Sequence, residues 1–222
     1  MKAWSYSGLS KYENCPRQFY YTKVAKTVVE PDTVHTIWGK EVHAALEFRV
    51  KDGTPLPEKM AKWEPIAAKF ANAPGEVFTE RQYAITRDMK QTEWDAADCW
   101  YRGIIDVGVD TGKVSVLGDY KTGKVKDDFD QMSLFAATHM TLHPEIEVSR
   151  AMYIWLAHNK VTRKDVKRDL VPVIWADFIV RSSRLEKAYE QDRWLPRPSG
   201  LCNGWCPVGR SNCEFWAPKK NR

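Results

Sequence analysis

No part of this 222-residue chain approaches the roughly 18 uninterrupted apolar residues of a membrane-spanning helix, so no membrane span is expected. Met1 to Leu9 has no apolar run of the kind an export signal carries, and a soluble, cytoplasmic protein is the expectation. Cysteine is sparse, with five residues. Without an export signal these argue against a disulfide framework, because cytosolic thiols stay reduced and clustered ones serve more readily as metal ligands. Neither sign of charge dominates: 34 Lys and Arg face 29 Asp and Glu, for a net charge of +5. That balance permits an anionic partner without requiring one. Internal repeats and low-complexity segments are also missing, which speaks against a solenoid or a disordered linker.

What is present suffices for one sizeable core, since 43% of the residues are hydrophobic and the length suits a single domain with appendages. We expect one domain over residues 1–222: an N-terminal helical segment (1–32) carrying Cys15, a core (33–192), and a cysteine-rich tail (193–222) that packs back on the N-terminus. Ten tryptophans could stack on unpaired bases, but packing is their commoner use, and none is assigned a role. Lys121, Lys124 and Lys126 form one basic group; Arg163, Lys164, Lys167 and Arg168 form another. Solvated loops account for both equally well.

The apolar spacing predicts a broken helix over Ser5–Lys23, interrupted at Cys15-Pro16. A second helix is predicted over Thr33–Val50, where Ile37, Val42, Ala45, Leu46 and Val50 recur at helical intervals and Asp52-Gly53 ends the run. Gly39 and His43 then share a face. Pro55–Phe70 is a looser helical stretch. Composition turns β-branched and aromatic in Glu76–Ile85, Trp100–Val109 and Val114–Tyr120, which predicts three strands. Asp110-Thr111-Gly112-Lys113 joins the last two as an antiparallel hairpin. A helix over Asp128–Leu142, a buried strand over Val148–Ala157 and a helix over Ile174–Tyr189 follow. Trp194–Gly200 is an extended connection to the tail.

The hairpin carries the chemistry. Arg102-Gly103-Ile104-Ile105-Asp106 and Gly118-Asp119-Tyr120-Lys121 set two acids and a lysine at the ends of paired strands. Two carboxylates can hold Mg2+ or Mn2+, which prefer oxygen ligands, keep waters and accept a phosphate oxygen. An ammonium beside such an ion stabilises the charge that accumulates as a phosphodiester is attacked by activated water. On a strand Asp119 and Lys121 point to one face, while Tyr120 points away and offers its carbonyl to a metal. A hairpin with ordinary exposed charges fits this spacing as well. The stretch Gly118–Lys124 also mimics a phosphate-binding loop. It fails where Val125 replaces the required Ser or Thr and where Asp119 and Tyr120 stand in place of cradling amides, so nucleotide hydrolysis is rejected.

These residues, in this order, resemble the PD-(D/E)XK nucleases, and in particular the RecB-like branch that includes AddB-like and CRISPR-adaptation exonucleases. The resemblance rests on Gly39-Lys40-Glu41-Val42-His43, on Gly103-Ile104-Ile105-Asp106, on Asp119-Tyr120-Lys121-Thr122-Gly123-Lys124, and on Gln131 at the head of a helix. The family's Gln-x-x-x-Tyr reads Phe135 at its last position here, which removes any hydrogen bond made through that hydroxyl. The resemblance implies a restriction-endonuclease-like α/β fold, a central mixed sheet flanked by helices in the order αβββαβ. It implies His43, Asp106, Asp119 and the Tyr120 carbonyl as metal ligands, with Lys121 and Gln131 completing the catalytic set. Glu80 matches an acidic position of some relatives and is a further candidate ligand. A phage-encoded enzyme acting on DNA ends or single strands, in a bacterial or phage-infected cell, is implied in turn.

Cys15, Cys202, Cys206 and Cys213 resemble the arrangement by which AddB-like and CRISPR-adaptation nucleases hold a 4Fe-4S cluster. Cys99 stands apart. A four-cysteine Zn2+ site and free thiols stay open. Gly200–Cys213 is too polar to fold on hydrophobic burial, and coordination would supply the missing stability. Two other readings of the whole chain remain: a DNA-binding module of the same fold without chemistry, and a zinc-stapled interaction protein.

Overall fold

The computed structural model describes residues 3–218, which form two compact units. The larger spans Thr33–Phe178, and the smaller joins the chain before Asp32 to the chain after Ile179. Three short helical elements open the chain: α1 (Tyr6–Asn14), α2 (Pro16–Phe19) and a π-helical turn over Tyr20–Val24. The break expected at Cys15-Pro16 is present. Proline cannot donate to the preceding turn, and Cys15 is extended at φ −162°.

The larger unit begins with α3 (Val34–Asp52), capped by Thr33 and closed by Gly53 in the left-handed conformation at φ +73°. A 3-10 turn (Glu58–Trp63) and α4 (Glu64–Ala71) follow, which resolves the looser helical stretch into two pieces with Pro65 in the first turn of α4. Five strands then form one sheet in the order β1-β2-β3-β4-β5: β1 (Glu76–Ile85), β2 (Tyr101–Thr111), β3 (Val114–Lys121), β4 (Val148–Trp155) and β5 (Lys160–Lys167). Between β3 and β4 the chain crosses through α5 (Asp130–Leu142), so these two strands are parallel and all other pairs antiparallel. The chain continues into α6 (Val171–Glu190). The mixed sheet flanked by helices is the expected fold class. The added element is β5, whose charged residues conceal the alternation expected of a strand. It forms by pairing with β4 as an edge strand, where lysine is well tolerated.

The β2–β3 turn is tighter than its sequence suggests. Thr111 pairs with Val114, leaving only Gly112-Lys113 as the loop, and Gly112 takes φ +73°. Two hydrophobic layers cover the sheet. One packs Val42, Leu46, Met60, Trp63, Ala67 and Phe70 against Val107, Val109 and the Tyr120 ring. The other packs Met132, Phe135 and Met140 of α5 against Phe78, Tyr83, Ile105, Leu117 and Tyr153. In this second layer the fully buried His139 is satisfied at both nitrogens. Its Nδ1 accepts from the Tyr83 hydroxyl at 2.7 Å, and its Nε2–H donates to Asp110 Oδ1 at 2.9 Å.

The α5 layer depends on a missing side chain. A Cβ on Gly108 would lie 2.1 Å from the Phe78 ring, so the ring sits where any larger residue would stand. Gly108→Ala should therefore destabilise the fold by about 1–3 kcal/mol, the usual cost of overpacking. Gly123→Ala, at a position with nothing within 4 Å, should be near neutral. Thermal melts of the two variants check the contrast; equal melting temperatures would refute it.

Candidate metal centre

The site is built around one rung of the β1–β2 pair. Thr79 pairs with Val107 and Arg81 with Ile105, which leaves Glu80 facing Asp106 without a ladder partnership. Glu80 takes φ +44°, a left-handed conformation that costs a non-glycine residue on the order of 1–3 kcal/mol. The alternation of faces slips here. In a regular strand Ile105 and Val107 would share a face, yet Ile105 belongs to the α5 layer and Val107 to the α3 layer. The distortion delivers Glu80 and Asp106 together toward α3, where His43 sits in mid-helix. Among the described residues these three are the one set of His, Cys, Asp or Glu whose ligand atoms all lie within 4.8 Å of one another.

Tyr120 ties the set to β3 through its backbone. Its N–H donates to Asp106 Oδ2 at 2.8 Å, and its carbonyl accepts from His43 Nε2–H at 2.8 Å. A carbonyl can only accept, so the imidazole proton is on Nε2 and the lone pair on Nδ1. That lone pair faces Asp106 Oδ2 at 3.3 Å. Two acceptors face to face require a proton or a cation between or beside them. Burial pushes His43 below its ordinary value, which keeps the ring neutral and able to ligate. Burial, reinforced by Asp119, pushes Asp106 well above the usual carboxylate range, and burial with Glu47 and Asp119 raises Glu80. This set of donors, short of positive charge, fits a divalent cation.

Asp119 and Lys121 lie on the α5 face of β3, in line with Leu117. Asp119 is 3% exposed. Its Oδ2 makes no aligned hydrogen bond, and the Lys121 ammonium at 2.7 Å is what compensates it. Burial raises its pKa while Lys121 opposes the rise. Lys121 Nζ also donates to Gln131 Oε1 at 3.2 Å and stands 5.4 Å above the Tyr153 ring. Phe135, one turn beyond Gln131, lies against Gly103: a Cβ there would come within 3.0 Å of the Phe135 ring and 2.5 Å of the Tyr101 hydroxyl. The glycine and the phenylalanine are therefore one packing unit. A cavity of about 660 Å³ opens beside the set, lined by Gly39, Lys40, His43, Glu47, Glu80 and Thr122 among others.

Structure thus places His43, Glu80 and Asp106 in one group, Asp119 and Lys121 in an adjoining pair, and Gln131 on the lysine. Two residues were overlooked in the sequence. Glu47, four residues after His43, was visible as a helical neighbour; Tyr153 was not, because it reaches Lys121 only through strand pairing with Asp119. The segment Gly118–Lys121 is strand, which agrees with the rejection of a phosphate-binding loop there.

The smaller unit gathers the other candidate ligands. Tyr12 hydroxyl donates to the Arg184 carbonyl at 2.9 Å, Arg181 pairs with Glu13, and Arg17 pairs with Glu214, joining the two ends of the chain. Cys15 and Cys202 each accept a backbone N–H at 3.4 Å, from Arg197 and Ser199. Burial raises the Cys206 thiol, with Cys15, Cys202 and Cys213 adding to the rise. The four sulfurs therefore share one neighbourhood, although no three of them lie within 4.8 Å of one another. Cys99 belongs to the larger unit and is buried.

A mixed sheet that delivers a histidine, acidic residues and a lysine to one end is the arrangement of a metal-dependent nuclease. The family model of the PD-(D/E)XK nuclease superfamily matches residues 3–213, and the chain belongs to that superfamily. It is accordingly a nuclease-family hydrolase with divalent-metal chemistry and DNA as its substrate class. No curated protein matches the chain. A solved structure titled "Crystal structure of SSO0001" is similar at a TM-score of 0.48 and 14% identity, over 94% of this chain and 84% of that one. Among the described residues no helix is long and apolar enough to cross a membrane.

The raised Asp106 carboxyl gives a signed prediction. Its folded pKa lies above the ordinary 3.8, so the unfolded chain releases the proton first and stability falls as pH rises from about 4 through the folded value. His43 works in the opposite direction below its ordinary 6.5, and because it touches Asp106 at 3.3 Å the pH comparison with Asp106→Asn is made in a His43→Ala background. In metal-free buffer the stability of the protein with Asp106 relative to its Asp106→Asn counterpart should decline as pH rises above about 4. Mg2+ or Mn2+ at pH 8 should then raise the melting temperature of wild type more than that of the variant. Equal metal-induced shifts in the two proteins would rule out a cation at this carboxylate.

Proposed function

We propose that the protein is a Mg2+- or Mn2+-dependent deoxyribonuclease of the RecB-like branch, an exonuclease acting on DNA ends or single strands. It resembles AddB-like and CRISPR-adaptation nucleases, and phage DNA metabolism, recombination or repair in the cytoplasm of a bacterial or phage-infected cell is its setting. We read residues 1–222 as one nuclease domain, with an N-terminal segment (1–32), a core (33–192) and a cysteine-bearing tail (193–222). The observation that carries the activity is the His43 Nδ1 lone pair facing Asp106 Oδ2 at 3.3 Å, with Glu80 in reach and an ammonium held on the adjoining acid.

When bound, the ion supplies Lewis-acid chemistry, polarising a phosphate oxygen and acidifying water. His43, Asp106 and Glu80 would hold it, with Asp119 and the Tyr120 carbonyl as neighbouring oxygen donors. Lys121 places its positive charge where the scissile phosphate accumulates negative charge. Asp119 and Gln131 hold that ammonium from two sides, so it is fixed before substrate arrives. Gly39, Lys40 and Thr122 leave the cavity open for a phosphate backbone.

Wild type should release nucleotides from end-labelled linear DNA only with a divalent cation, and should leave circular single strands intact. Lys121→Ala and Asp119→Ala should each lose about 100- to 1000-fold in rate, the usual loss of one transition-state charge contact. Cleavage of circles at the linear rate would replace exonuclease with endonuclease. Rates unmoved by Lys121→Ala would sink the site.

For the cysteines we propose a 4Fe-4S cluster rather than zinc. The reading rests on the order of the four cysteines, one near the start and three near the end of the chain, and on the electrostatic neighbourhood that Cys206 shares with Cys15, Cys202 and Cys213. The purified protein should be brown with broad visible absorption, and Cys206→Ser should bleach it. Colourless protein with stoichiometric zinc would reverse the assignment.

A further inference from the structure

Beyond the metal group, a basic surface is aligned with the site by strand register. Because β3 and β4 are parallel, both end at the same edge of the sheet, and the β4–β5 hairpin turns there through Leu156–His158 and Asn159, which adopts φ +46°. Lys121 pairs with Trp155, and Trp155 pairs with Lys160. The three occupy one rung. Side chains directly across a sheet share a face, and the face is fixed by same-face rungs further along the strands, where Leu117 pairs with Ala151 and Ser149 with Val166, the apolar members all in the α5 layer. Lys160 and Lys164 are therefore on the Lys121 face. Two strand spacings of about 4.8 Å put Lys160 roughly 10 Å from Lys121, and Lys164 stands a further ~13 Å along β5.

The charge on this strip is uncompensated. Asp165, the one acid of β5, is taken by Arg150 in a two-pronged pair at 2.9 Å. Lys160 and Lys164 are exposed and have no ion pair among the described residues. Lys124 and Lys126, also exposed, leave β3 at the same end, three and five residues after Lys121. A polyanion laid across this face from Lys121 would meet positive charge at Lys160 on the same rung and at Lys164 back along β5, level with Leu117, with Lys124 and Lys126 at the edge itself.

We propose that the β4–β5 hairpin is a backbone track for the DNA strand on one side of the scissile phosphate, with Lys160 and Lys164 as its phosphate contacts. This rests on the nuclease reading of the Lys121 site. The competing explanation is that these lysines merely guard an open sheet edge against self-association.

Anisotropy of a fluorescein-labelled 20-nucleotide single strand, measured without divalent metal across a salt series, separates the two. Lys160→Ala and Lys164→Ala should each weaken binding several-fold and lower the slope of log K against log salt by about 0.7, the value for one single-strand phosphate contact. Lys113→Ala, at the opposite end of β3 and paired with Glu147, should leave both unchanged. Unaltered binding in the two β5 variants, with or without new self-association on sizing, would overturn the track. So would an equal loss in Lys113→Ala, which would mark a net-charge effect. If wild type cleaves while the β5 variants bind normally, the track fails and the nuclease stands. If wild type binds through Lys160 yet never cleaves, the track stands and the nuclease reading fails.

Discussion

The centre depends on the two backbone bonds of one buried residue. Tyr120 sends its ring into the α3 layer, where it is 2% exposed, and spends its N–H on Asp106 and its carbonyl on His43. A hydrogen bond between neutral groups contributes about 0.5–1.5 kcal/mol net and one to a charged group about 1.5–3 kcal/mol, but here geometry matters more than energy. The burial of one ring fixes β3 against α3, and the peptide groups on either side then set the carboxylate orientation, the imidazole tautomer and the direction of its lone pair. Preorganisation of this kind is what a charge-stabilising site requires, since the donors are in place before any anion arrives.

A second constraint is stored in the neighbouring strands. A regular β1–β2 ladder would send Glu80 and Asp106 outward on a schedule set by the pleat. Instead Glu80 is held at a positive φ, and the face alternation slips across Asp106. Local strain persists only where surrounding packing overdetermines it, and the two flanking layers supply that packing: Phe78 over Gly108 on one side, Val107 against α4 on the other. The strained rung brings two carboxylates close enough to share an ion, an arrangement that repels itself without one.

The cysteine-bearing unit follows a different logic. It has few large buried side chains in its last stretch, and Leu201, Trp205 and Phe215 are exposed. Its ends are joined by ion pairs and backbone bonds that contribute little each at a surface. Coordination by the four cysteines, as proposed, would hold this stretch together.

The sequence by itself determined the fold class, the hairpin and the order His43, Asp106, Asp119, Lys121, Gln131, because those follow from short-range periodicity, turn residues and motif spacing. Phe135 was recognisable as a departure, but its partnership with Gly103 was not. β5 escaped because its charges mask a strand whose stability comes from β4. Tertiary structure alone decided that Glu80 joins His43 and Asp106 while Asp119 sides with Lys121, and that Tyr153 lies under the ammonium. His43 and Glu80 are 37 residues apart, Lys121 and Tyr153 32, and Glu80 meets Asp106 across 26 residues through a slip in the pleat, so no local pattern encodes these relations: they arise from which faces are buried when α3 and α5 close on the two sides of the sheet.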